Sequence, residues 1–381
     1  MTSKPQVLVF IGWYSPGFKA GGPVRSLVNM VDHLRDRIDF HIVTSDTDYT
    51  ETKPYEGITS DSWTRLPGGE RVWYASKNAA NAQAWKRLLK ARAWDAVYIN
   101  GIYSWAFSVL PLWLLRGSAQ KRVVAVRGML ASGMMKYGAL KKRVFLAVMR
   151  TLGCYSGVHF QATNAEEAED VKCWISSRAD VVEVPNLGRK LGASVPPRRE
   201  KEPGELRLVS VARIAVEKNT LFAIERLKGL AGDITFDLYG PIYDQTYWQR
   251  CKQAIATLPS NVKVDYKGVI DPEKVPALFA EYHALFMPSQ GENFGHTMAE
   301  ALATGLPLLI SDRTPWNGLE KQDAGWDLPL DQEGVFARAI ERMVHADQLQ
   351  YVRWSNGAFA MGKRYLSDPA TVERSLALFT R

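Results

Sequence analysis

Short apolar runs rich in β-branched residues alternate along the chain with longer stretches whose apolar residues recur every three or four positions. Residues 6–13 form the first apolar run, and residues 23–35 form the first helical stretch. This alternation predicts parallel sheets covered by helices on both faces. Further strands are predicted near residues 40–45, 71–75, 96–100, 122–127, 157–162 and 181–185, with helices near residues 79–91, 105–115, 140–152 and 164–174.

A polar stretch at residues 187–205, rich in Pro, Arg and Lys, interrupts the alternation and is typical of a linker. The pattern then resumes, with strands near residues 206–212, 234–239, 262–266, 284–287 and 307–311 and helices near residues 220–230, 245–258, 272–282, 296–304 and 333–344. Two such runs predict an α/β protein of two doubly wound, Rossmann-like domains facing a central cleft. We place the N-terminal domain at residues 1–186 and the C-terminal domain at residues 206–365.

The composition is that of an ordinary globular protein, with 46% hydrophobic and 23% charged residues among 381. The chain has three cysteines, and no two of them form a Cys-x-x-Cys motif. This favours a reducing compartment and argues against a metal site with thiolate ligands. The apolar run near the N-terminus is too short for a signal peptide, and the run at residues 102–115 falls short of the roughly 20 residues of a spanning helix. We therefore expect a cytoplasmic protein.

The formal charge of +8 is concentrated in the first half, where residues 1–186 hold 24 Lys and Arg against 16 Asp and Glu. Residues 96–165 contain no acid at all. Such a block favours an anionic partner, and without a binding motif we do not expect nucleic acid. Its predicted helix carries basic and apolar residues side by side, so either an anionic membrane surface or a core-facing helix with a basic rim fits. The bases considered for membrane or acceptor contact are Lys136, Lys141, Lys142, Arg143 and Arg150.

The most informative segment is PSQGENFGHTMAEALATGLP at residues 288–307. It predicts a strand, a Gly-containing loop with Glu292, and a helix that holds Glu300 and stops at Gly305. A helix start presents backbone N–H groups to an anion, and two carboxylates beside it suit a ligand that also carries hydroxyls, such as a sugar nucleotide. We assign Glu300 to the ribose and Glu292 to the sugar or to charge developing at its anomeric carbon. A solvated helix start is the simpler alternative.

The segment VARIAVEKN places Arg213 and Lys218 after the first strand of the second half. Carboxyl ends of strands are where doubly wound sheets bind anions, and these bases could hold a diphosphate. Two ordinary surface bases are the alternative. Gly21 and Gly22 precede the first helix and allow close approach of a phosphate, although a plain tight turn is equally consistent. Asp46 and Asp48 are better explained by a polar loop than by a metal site.

These motifs together resemble the retaining glycosyltransferases of family 4, which have the GT-B fold. The resemblance covers nearly the whole chain, and ENFGHTMAEALATGLP is its most specific part. VARIAVEKN is similar to the family's Gly-Arg-and-Lys segment with Ala212 in place of Gly, and FQATNAEEAEDV, VPNLG and ISDRTPW follow in family order. RGML and TSDTDYTE resemble a subgroup common in bacterial surface-polysaccharide clusters.

The resemblance implies that a nucleotide-diphosphate sugar, linked to UDP or GDP, binds the C-terminal domain without a metal or another cofactor. It implies that residues 268–270 lie near the base and that residues 366–381 form a helix crossing back to the N-terminal domain. The implied donor-binding residues are Gly21, Gly22, Arg213, Lys218, Ile270, Glu292, Asn293, Phe294, Gly295, His296, Thr297 and Glu300. Many family members have a His, which typically contacts the donor sugar, where this chain has Arg127, so Arg127 is a candidate for that contact or for an acceptor anion.

We expect front-face transfer of a hexose or deoxyhexose, with retention, to a saccharide or lipid-linked acceptor at the inner face of the cytoplasmic membrane. Catalysis is assigned to Glu292, Arg213, Lys218 and Arg127. Two alternatives remain open: a nucleotide-sugar epimerase or phosphorylase on the same scaffold, and a non-catalytic protein that binds a membrane surface or polysaccharide through its basic block.

Overall fold

The computed structural model describes residues 4–131, 135, 139–190, 192 and 195–380, which fold into two compact units. The first unit comprises Met1–Leu187 together with Pro369–Arg381, and the second comprises Gly188–Asp368. Each unit has a sheet of its own, so each is described separately.

The first unit is built on an eight-stranded sheet in the order β3-β4-β2-β1-β5-β6-β7-β8, parallel except for the pairing of β3 with β4. Its strands are β1 (Gln6–Phe10), β2 (Asp39–Ser45), β3 (Trp63–Arg65), β4 (Arg71–Ala75), β5 (Ala96–Asn100), β6 (Arg122–Ala125), β7 (Val158–Ala162) and β8 (Asp180–Glu183). Its α-helices are α1 (Gly22–Leu34), α2 (Ala82–Lys90), α3 (Leu110–Leu114), α4 (Ala139–Thr151), α5 (Ala165–Trp174) and, at the end of the chain, α12 (Pro369–Thr380). A π-helical turn, Trp105–Val109, precedes α3.

Strand β1 shows why this sheet is covered on both sides. Leu8 and Phe10 belong to the apolar cluster on one face, and Val7 and Val9 belong to the cluster on the other. Side chains alternate along a strand, so four successive buried apolar residues require a layer of packing on each face of the sheet. The final helix α12 contributes Phe379 to the second of these layers.

The second unit is built on a six-stranded parallel sheet in the order β11-β10-β9-β12-β13-β14. Its strands are β9 (Glu205–Val211), β10 (Asp233–Tyr239), β11 (Val262–Gly268), β12 (Ala284–Met287), β13 (Leu308–Ser311) and β14 (Gly325–Leu328). Its α-helices are α6 (Thr220–Glu225), α7 (Gln245–Ile255), α8 (Val275–Leu278), α9 (His296–Ala303), α10 (Val335–His345) and α11 (Gln348–Leu366). Short 3₁₀ turns occupy Val216–Lys218, Pro272–Lys274, Phe279–Glu281 and Glu320–Gln322.

The prediction of two Rossmann-like α/β domains is confirmed, but three elements were missed: β3, β14 and the 19-residue helix α11. Glycines inside α11 lower its intrinsic helix propensity. Packing explains both, because a Cβ on Gly357 would lie 2.3 Å from the carbonyl oxygen of Gln322, and one on Gly362 would lie 2.6 Å from the carbonyl carbon of Leu302 in α9. Close approach of the two helix backbones therefore requires glycine there and sets the position of α9.

The stretch predicted as a linker packs largely into the second unit. Its Arg199 and Lys201 are only 4% and 1% exposed. Their charged groups donate to backbone carbonyls, those of Thr304 and Gly305 for Arg199 and those of Val344 and Ala346 for Lys201. These carbonyls lie at the ends of α9 and α10, where a cation is favourable. Basic composition alone does not distinguish such a role from solvent exposure.

None of the helices within the described ranges is both long and apolar enough to cross a membrane.

Candidate functional site

The strand order of the second unit reverses at its central strand, with β10 on one side of β9 and β12 on the other. In a doubly wound sheet, such a reversal leaves a crevice at the carboxyl ends of the strands, because the flanking connections lie on opposite faces. The loops after β9 and β12 carry Arg213, Lys218 and Glu292. All three residues therefore lie at the switch point of this sheet.

Lys218 and Glu292 form an ion pair at this point although they are 74 residues apart in sequence. Lys218 Nζ lies 2.5 Å from Glu292 Oε1, and the two side chains are only 19% and 11% exposed. Ser289 donates to the same carboxylate oxygen at 3.0 Å, and Ser311 donates to the carbonyl of Ser289 at 2.5 Å. Two neighbouring strands thus hold Glu292 in place.

Sequence reasoning missed this support, although Ser289 lies in the loop just after β12 and precedes Glu292 by three residues. The loops after β9 and β12 are also joined through the backbone, because the amide of Gln290 donates to the carbonyl of Glu217 at 2.9 Å. Lys218 ends a 3₁₀ turn, and the chain reverses at Asn219 with φ of 60°, a left-handed conformation that asparagine tolerates.

Arg213 lies in the same loop but has a different partner. Its guanidinium pairs with Glu217 at 3.0 Å, and the two side chains are 45% and 49% exposed. An exposed pair of this kind contributes about 0–1 kcal/mol. Arg213 is therefore held weakly and can turn toward an anionic ligand at little energetic cost.

The start of α9 is fixed by close contacts. Gly295 has φ of 74°, and a Cβ there would lie 2.9 Å from Met298 Sδ and 3.3 Å from Trp316 Nε1. Thr297 donates its hydroxyl to the carbonyl of Val211 at 3.1 Å, which joins the first turn of α9 to the end of β9. The helix start therefore lies beside the loop of Arg213 and Lys218.

Phe294 points its side chain into the core. It is 5% exposed, its ring lies 6.0 Å from those of Trp316 and Tyr365, and its carbonyl accepts from Trp316 Nε1 at 2.7 Å. The ring of His296 lies 4.5 Å from the same ring and is tilted by 57° relative to it. Any contact of Phe294 with a donor would therefore be made by its backbone.

The remaining candidates of this unit lie around the same edge. Glu300 is on α9, one helical turn after His296, and is 6% exposed. Ile270 follows β11 and packs partly against the apolar cluster that also holds Phe294. Asn293 lies in the loop between Glu292 and Phe294. The second unit thus gathers most of the predicted donor-binding residues at one edge.

The first unit holds Gly21, Gly22 and Arg127. Gly21 has φ of 76° and precedes α1, and a Cβ on either glycine would meet no atom within 4 Å. Asn100, at the end of β5, donates to the carbonyl of Pro23 at 3.3 Å and accepts from Arg127 Nε at 2.9 Å. The structure therefore brings Arg127 close to the start of α1.

Arg127 belongs to a polar network at the carboxyl ends of β5, β6 and β7. Its terminal nitrogens donate to the side chain of Asn186 and, at 2.5 Å, to the hydroxyl of Tyr98. Burial raises the pKa of Tyr98, and the charge of Arg127 acts in the opposite direction. Tyr98 in turn donates to Gln161 at 2.7 Å. Arg127 thus links the end of β5 with the chain after β8. A contact of Arg127 with substrate would use the guanidinium N–H groups that do not take part in these three hydrogen bonds.

A cavity of 240 Å³ opens at the carboxyl ends of β1 and β2 in the first unit. Trp13, Asp48 and Glu51 are among its lining residues. The ring of Trp13 lies 5.0 Å from that of Tyr49 at nearly a right angle, and Glu51 pairs with Lys19. An aromatic face beside carboxylates matches the apolar faces and hydroxyls of a sugar ring.

Asp46 and Asp48 organise their loop. Asp48 accepts from the amides of Phe18 and Lys19 at 3.0 and 3.3 Å, and Asp46 accepts from the Ser60 hydroxyl at 2.7 Å. Within the part of the chain that the structure describes, no group of three or more His, Cys, Asp or Glu side chains is placed to hold a metal ion.

Four of the nine bases in residues 96–165 lie on α4. Lys141, Arg143 and Arg150 are exposed, whereas Lys142 is half-buried. The Lys142 ammonium lies 5.7 Å from the ring of Tyr103, and the Arg143 guanidinium lies 5.4 Å from the ring of Trp174. Lys136 falls outside the described residues.

Comparison with known proteins finds a family model that matches most of the second unit. Residues 195–360 match the family model described as Glycosyl transferases group 1. The serotype-specific mannosyltransferase WbdA of Escherichia coli is 25% identical over 228 residues, covering 51% of this chain and 27% of WbdA. The aligned region thus spans about a quarter of this curated relative. The region that matches the group 1 model therefore includes Arg213, Lys218 and Glu292.

Solved structures resemble the whole chain. HepE (Alr3699) of Anabaena, crystallised with UDP and glucose, has a TM-score of 0.70 at 15% identity, covering 98% of both chains. WaaG, a glycosyltransferase involved in lipopolysaccharide biosynthesis, has a TM-score of 0.61 at 14% identity, also covering 98% of both chains. Likeness at these identities concerns the fold, and the chain has the GT-B fold.

Proposed function

We propose that the protein is a glycosyltransferase of family 4. It would move a hexose or deoxyhexose from a UDP- or GDP-linked sugar to a saccharide or lipid-linked saccharide, with retention of the anomeric configuration and without a metal. The observation that carries the proposal is the partly buried pair of Lys218 and Glu292 at the switch point, inside the group 1 glycosyl transferase domain.

The pair explains how the site can accept a diphosphate. Lys218 is neutralised by Glu292 in the protein alone, and a phosphate oxygen would replace the carboxylate as its partner. Glu292 would then be released toward hydroxyls of the donor sugar while Ser289 still holds it. Arg213, restrained only by its exposed pair with Glu217, would swing toward the same diphosphate.

The reaction that fits these charges is a front-face displacement. The bond from the anomeric carbon to the diphosphate oxygen breaks, and a bond from that carbon to the acceptor oxygen forms on the same face. The proton of the acceptor hydroxyl passes to the departing phosphate oxygen. Lys218 and Arg213 stabilise the negative charge that develops on the leaving group, which is the task a metal performs in other transferases.

Other residues are given binding roles. Glu300 would accept from the ribose hydroxyls, the amides at the start of α9 would face phosphate, and Ile270 would lie near the base. In the first unit, the start of α1 at Gly21 and Gly22 offers a second set of amides. The cavity with Trp13, Asp48 and Glu51 would hold the acceptor saccharide.

We further propose a role in bacterial cell-surface polysaccharide synthesis, covering O-antigen, lipopolysaccharide or exopolysaccharide. Support comes from the resemblance to WaaG, named for lipopolysaccharide biosynthesis, and to WbdA, named as a serotype-specific mannosyltransferase. A cytoplasmic, peripheral location at the inner face of the membrane would bring such an enzyme to lipid-linked acceptors.

A panel of UDP- and GDP-sugars tests the proposal. Each donor is incubated with saccharide and lipid-linked acceptors in the presence of EDTA. The masses of the products are measured by mass spectrometry, and their anomeric configuration is determined by NMR. We expect one donor to raise the unfolding temperature and to give an acceptor heavier by one sugar residue with the configuration of the donor. A changed sugar nucleotide formed without acceptor would indicate an epimerase, and no thermal shift with any nucleotide would contradict donor binding.

A further inference from the structure

Helix α4 of the first unit has two apolar faces rather than one. Its inner face buries Leu146 and Met149 in the core of the unit, with Phe145 packed against the same cluster. Its outer face also carries large apolar side chains, which are in solvent. One buried face is enough to hold a helix on a domain, so the outer face has no role in the fold of this unit.

The exposed residues form a continuous stripe. Leu140 is 76% exposed, Val144 55% and Val148 48%, and Leu152, just beyond the helix, is 44% exposed. A spacing of four residues shifts each member by only about 40° around a helix, so the side chains follow one another along a single side. A contiguous apolar surface of this kind is typical of an interaction site.

Basic residues border the stripe on both sides. Counted from Val144 at about 100° per residue, Lys141 lies about 60° away on one side, and Arg143 and Arg150 lie about 100–120° away on the other. All three are exposed. No acid occurs anywhere in residues 96–165. All the charged residues of the segment that carries the stripe are therefore basic.

An exposed aromatic residue lies near the end of this helix. Arg116 donates to the carbonyl of Leu152 at 3.2 Å, which joins the chain after α3 to the end of α4. Trp113 precedes Arg116 by three residues and is 46% exposed. Tryptophan is enriched at the boundary between lipid headgroups and acyl chains.

We infer that the outer face of α4 docks on an anionic membrane surface. The apolar stripe would enter the boundary between headgroups and acyl chains, and Lys141, Arg143 and Arg150 would contact phosphate groups of the lipids. Charge selects this occupant over a second copy of the chain, because two such stripes would bring like charges together. The inference agrees with the proposed location but uses no step of the proposed reaction.

Flotation of the full chain with lipid vesicles tests the inference. Vesicles of phosphatidylcholine mixed with phosphatidylglycerol are compared with vesicles of phosphatidylcholine alone, at low and high salt. We expect binding to the anionic vesicles that weakens with salt. The double variant Val144→Asp, Val148→Asp and the triple variant Lys141→Gln, Arg143→Gln, Arg150→Gln should each bind at least about tenfold more weakly.

Matched controls lie elsewhere on the surface. Leu349→Asp with Val352→Asp makes the same change at residues that are 79% and 40% exposed on α11. Replacing Lys86, Lys90 and Lys228 by Gln removes three exposed charges away from α4. Both control variants should bind anionic vesicles as the unchanged protein does.

Failure of the unchanged protein to bind anionic vesicles, or equal binding by the α4 variants, would overturn the inference. A dimer seen by light scattering that dissociates in the Val144→Asp, Val148→Asp variant would show a protein interface instead. Vesicle binding needs no sugar nucleotide, so its loss and a failure of glycosyl transfer are distinguishable. An unchanged circular dichroism spectrum shows that the variants are folded.

Discussion

Lys218 and Glu292 are each other's partner in the protein without ligand, and this has a consequence for the reaction. A diphosphate that binds Lys218 must displace a carboxylate from a position that is mostly shielded from water. Removing the lysine therefore does more than delete one phosphate contact, because it also leaves Glu292 without its counter-charge.

Lys218→Ala is expected to lower kcat/KM about 10²–10³-fold, on the scale of one lost donor to developing charge. The measurement is initial-rate release of nucleoside diphosphate with the donor identified above. Lys228→Ala, which removes an exposed lysine of the same unit, should leave the rate unchanged. Transfer by Lys218→Ala within a few-fold of normal would contradict the assignment.

His283 is a buried group whose protonation is linked to stability. Its Nδ1 accepts from the amide of Arg207 at 3.1 Å, so its Nε2 carries the hydrogen and donates to the carbonyl of Glu200 at 2.9 Å. Burial, assisted by the charge of Arg207, lowers its pKa to about 3. The unfolded chain, with a His pKa of about 6.5, therefore takes up this proton first as the pH falls.

The contribution of His283 to the free energy of unfolding of the second unit should thus be constant above about pH 7. It should decrease as the pH drops below about 6.5. The slope approaches about 1.4 kcal/mol per pH unit, so the loss reaches about 2 kcal/mol at pH 5. Hydrogen exchange of β9 and β12 peptides measures it. His283→Asn should reduce this dependence, whereas exposed His345→Asn should preserve it; an unchanged slope in His283→Asn would refute the linkage.

At the scale of the element, two helices of the second unit are closed at their carboxyl ends by cations from residues 195–205. Arg199 donates to the carbonyls of Thr304 and Gly305 after α9, and also to that of Phe279. Lys201 donates to those of Val344 and Ala346 at the end of α10. The last carbonyls of a helix have no amide partner within it, and here the guanidinium of Arg199 and the ammonium of Lys201 donate to them.

Arg199→Ala is expected to destabilise the second unit by about 3–4 kcal/mol, since it leaves several buried carbonyls without a donor and opens a cavity. The preceding residue supplies a matched control, because Arg198 is exposed and Arg198→Ala should change stability by less than about 0.5 kcal/mol. Exchange protection of α9 peptides distinguishes the two. Equal protection in both variants would show that the buried guanidinium contributes little.

At the scale of the whole molecule, the two units have separate cores, and the chain returns to the first unit for its last helix. Phe379 on α12 is 2% exposed, and its ring lies 5.9 Å from Phe40 and 5.6 Å from Tyr98. Arg37 and Glu373 form an ion pair between α12 and the chain after α1. The final residues are therefore part of the core that begins at β1.

Phe379→Ala should lower the stability of the first unit by about 3–5 kcal/mol and leave the second unit unchanged. Hydrogen exchange followed by mass spectrometry reports the two units separately, with β1 and β10 peptides as reporters. The control is Leu349→Ala, at an exposed apolar residue of α11, which should leave the exchange protection of both the β1 and the β10 peptides unchanged. A loss of protection of similar size in β10 would contradict independent cores.

The residues differ in how far they could be predicted. Strand β1 and helix α9 follow from their apolar patterns and their glycines, because these signals are local. Helix α11 was missed because its Gly362 is explained only by the backbone of α9, which is distant in sequence. The partner of Lys218 is likewise set by the alignment of β9 with β12, which no local pattern contains.

By itself, the sequence determined the alternation of strands and helices, and with it the edge of the second unit's sheet at which Arg213, Lys218 and Glu292 lie. This follows because parallel strands with helical connections end at the same edge. Only the tertiary structure decided that Lys218 meets Glu292, that Arg199 is buried and that Val144 is exposed. The type of a residue defines its charge and polarity, whereas the residues that it contacts depend on how segments distant in sequence pack together.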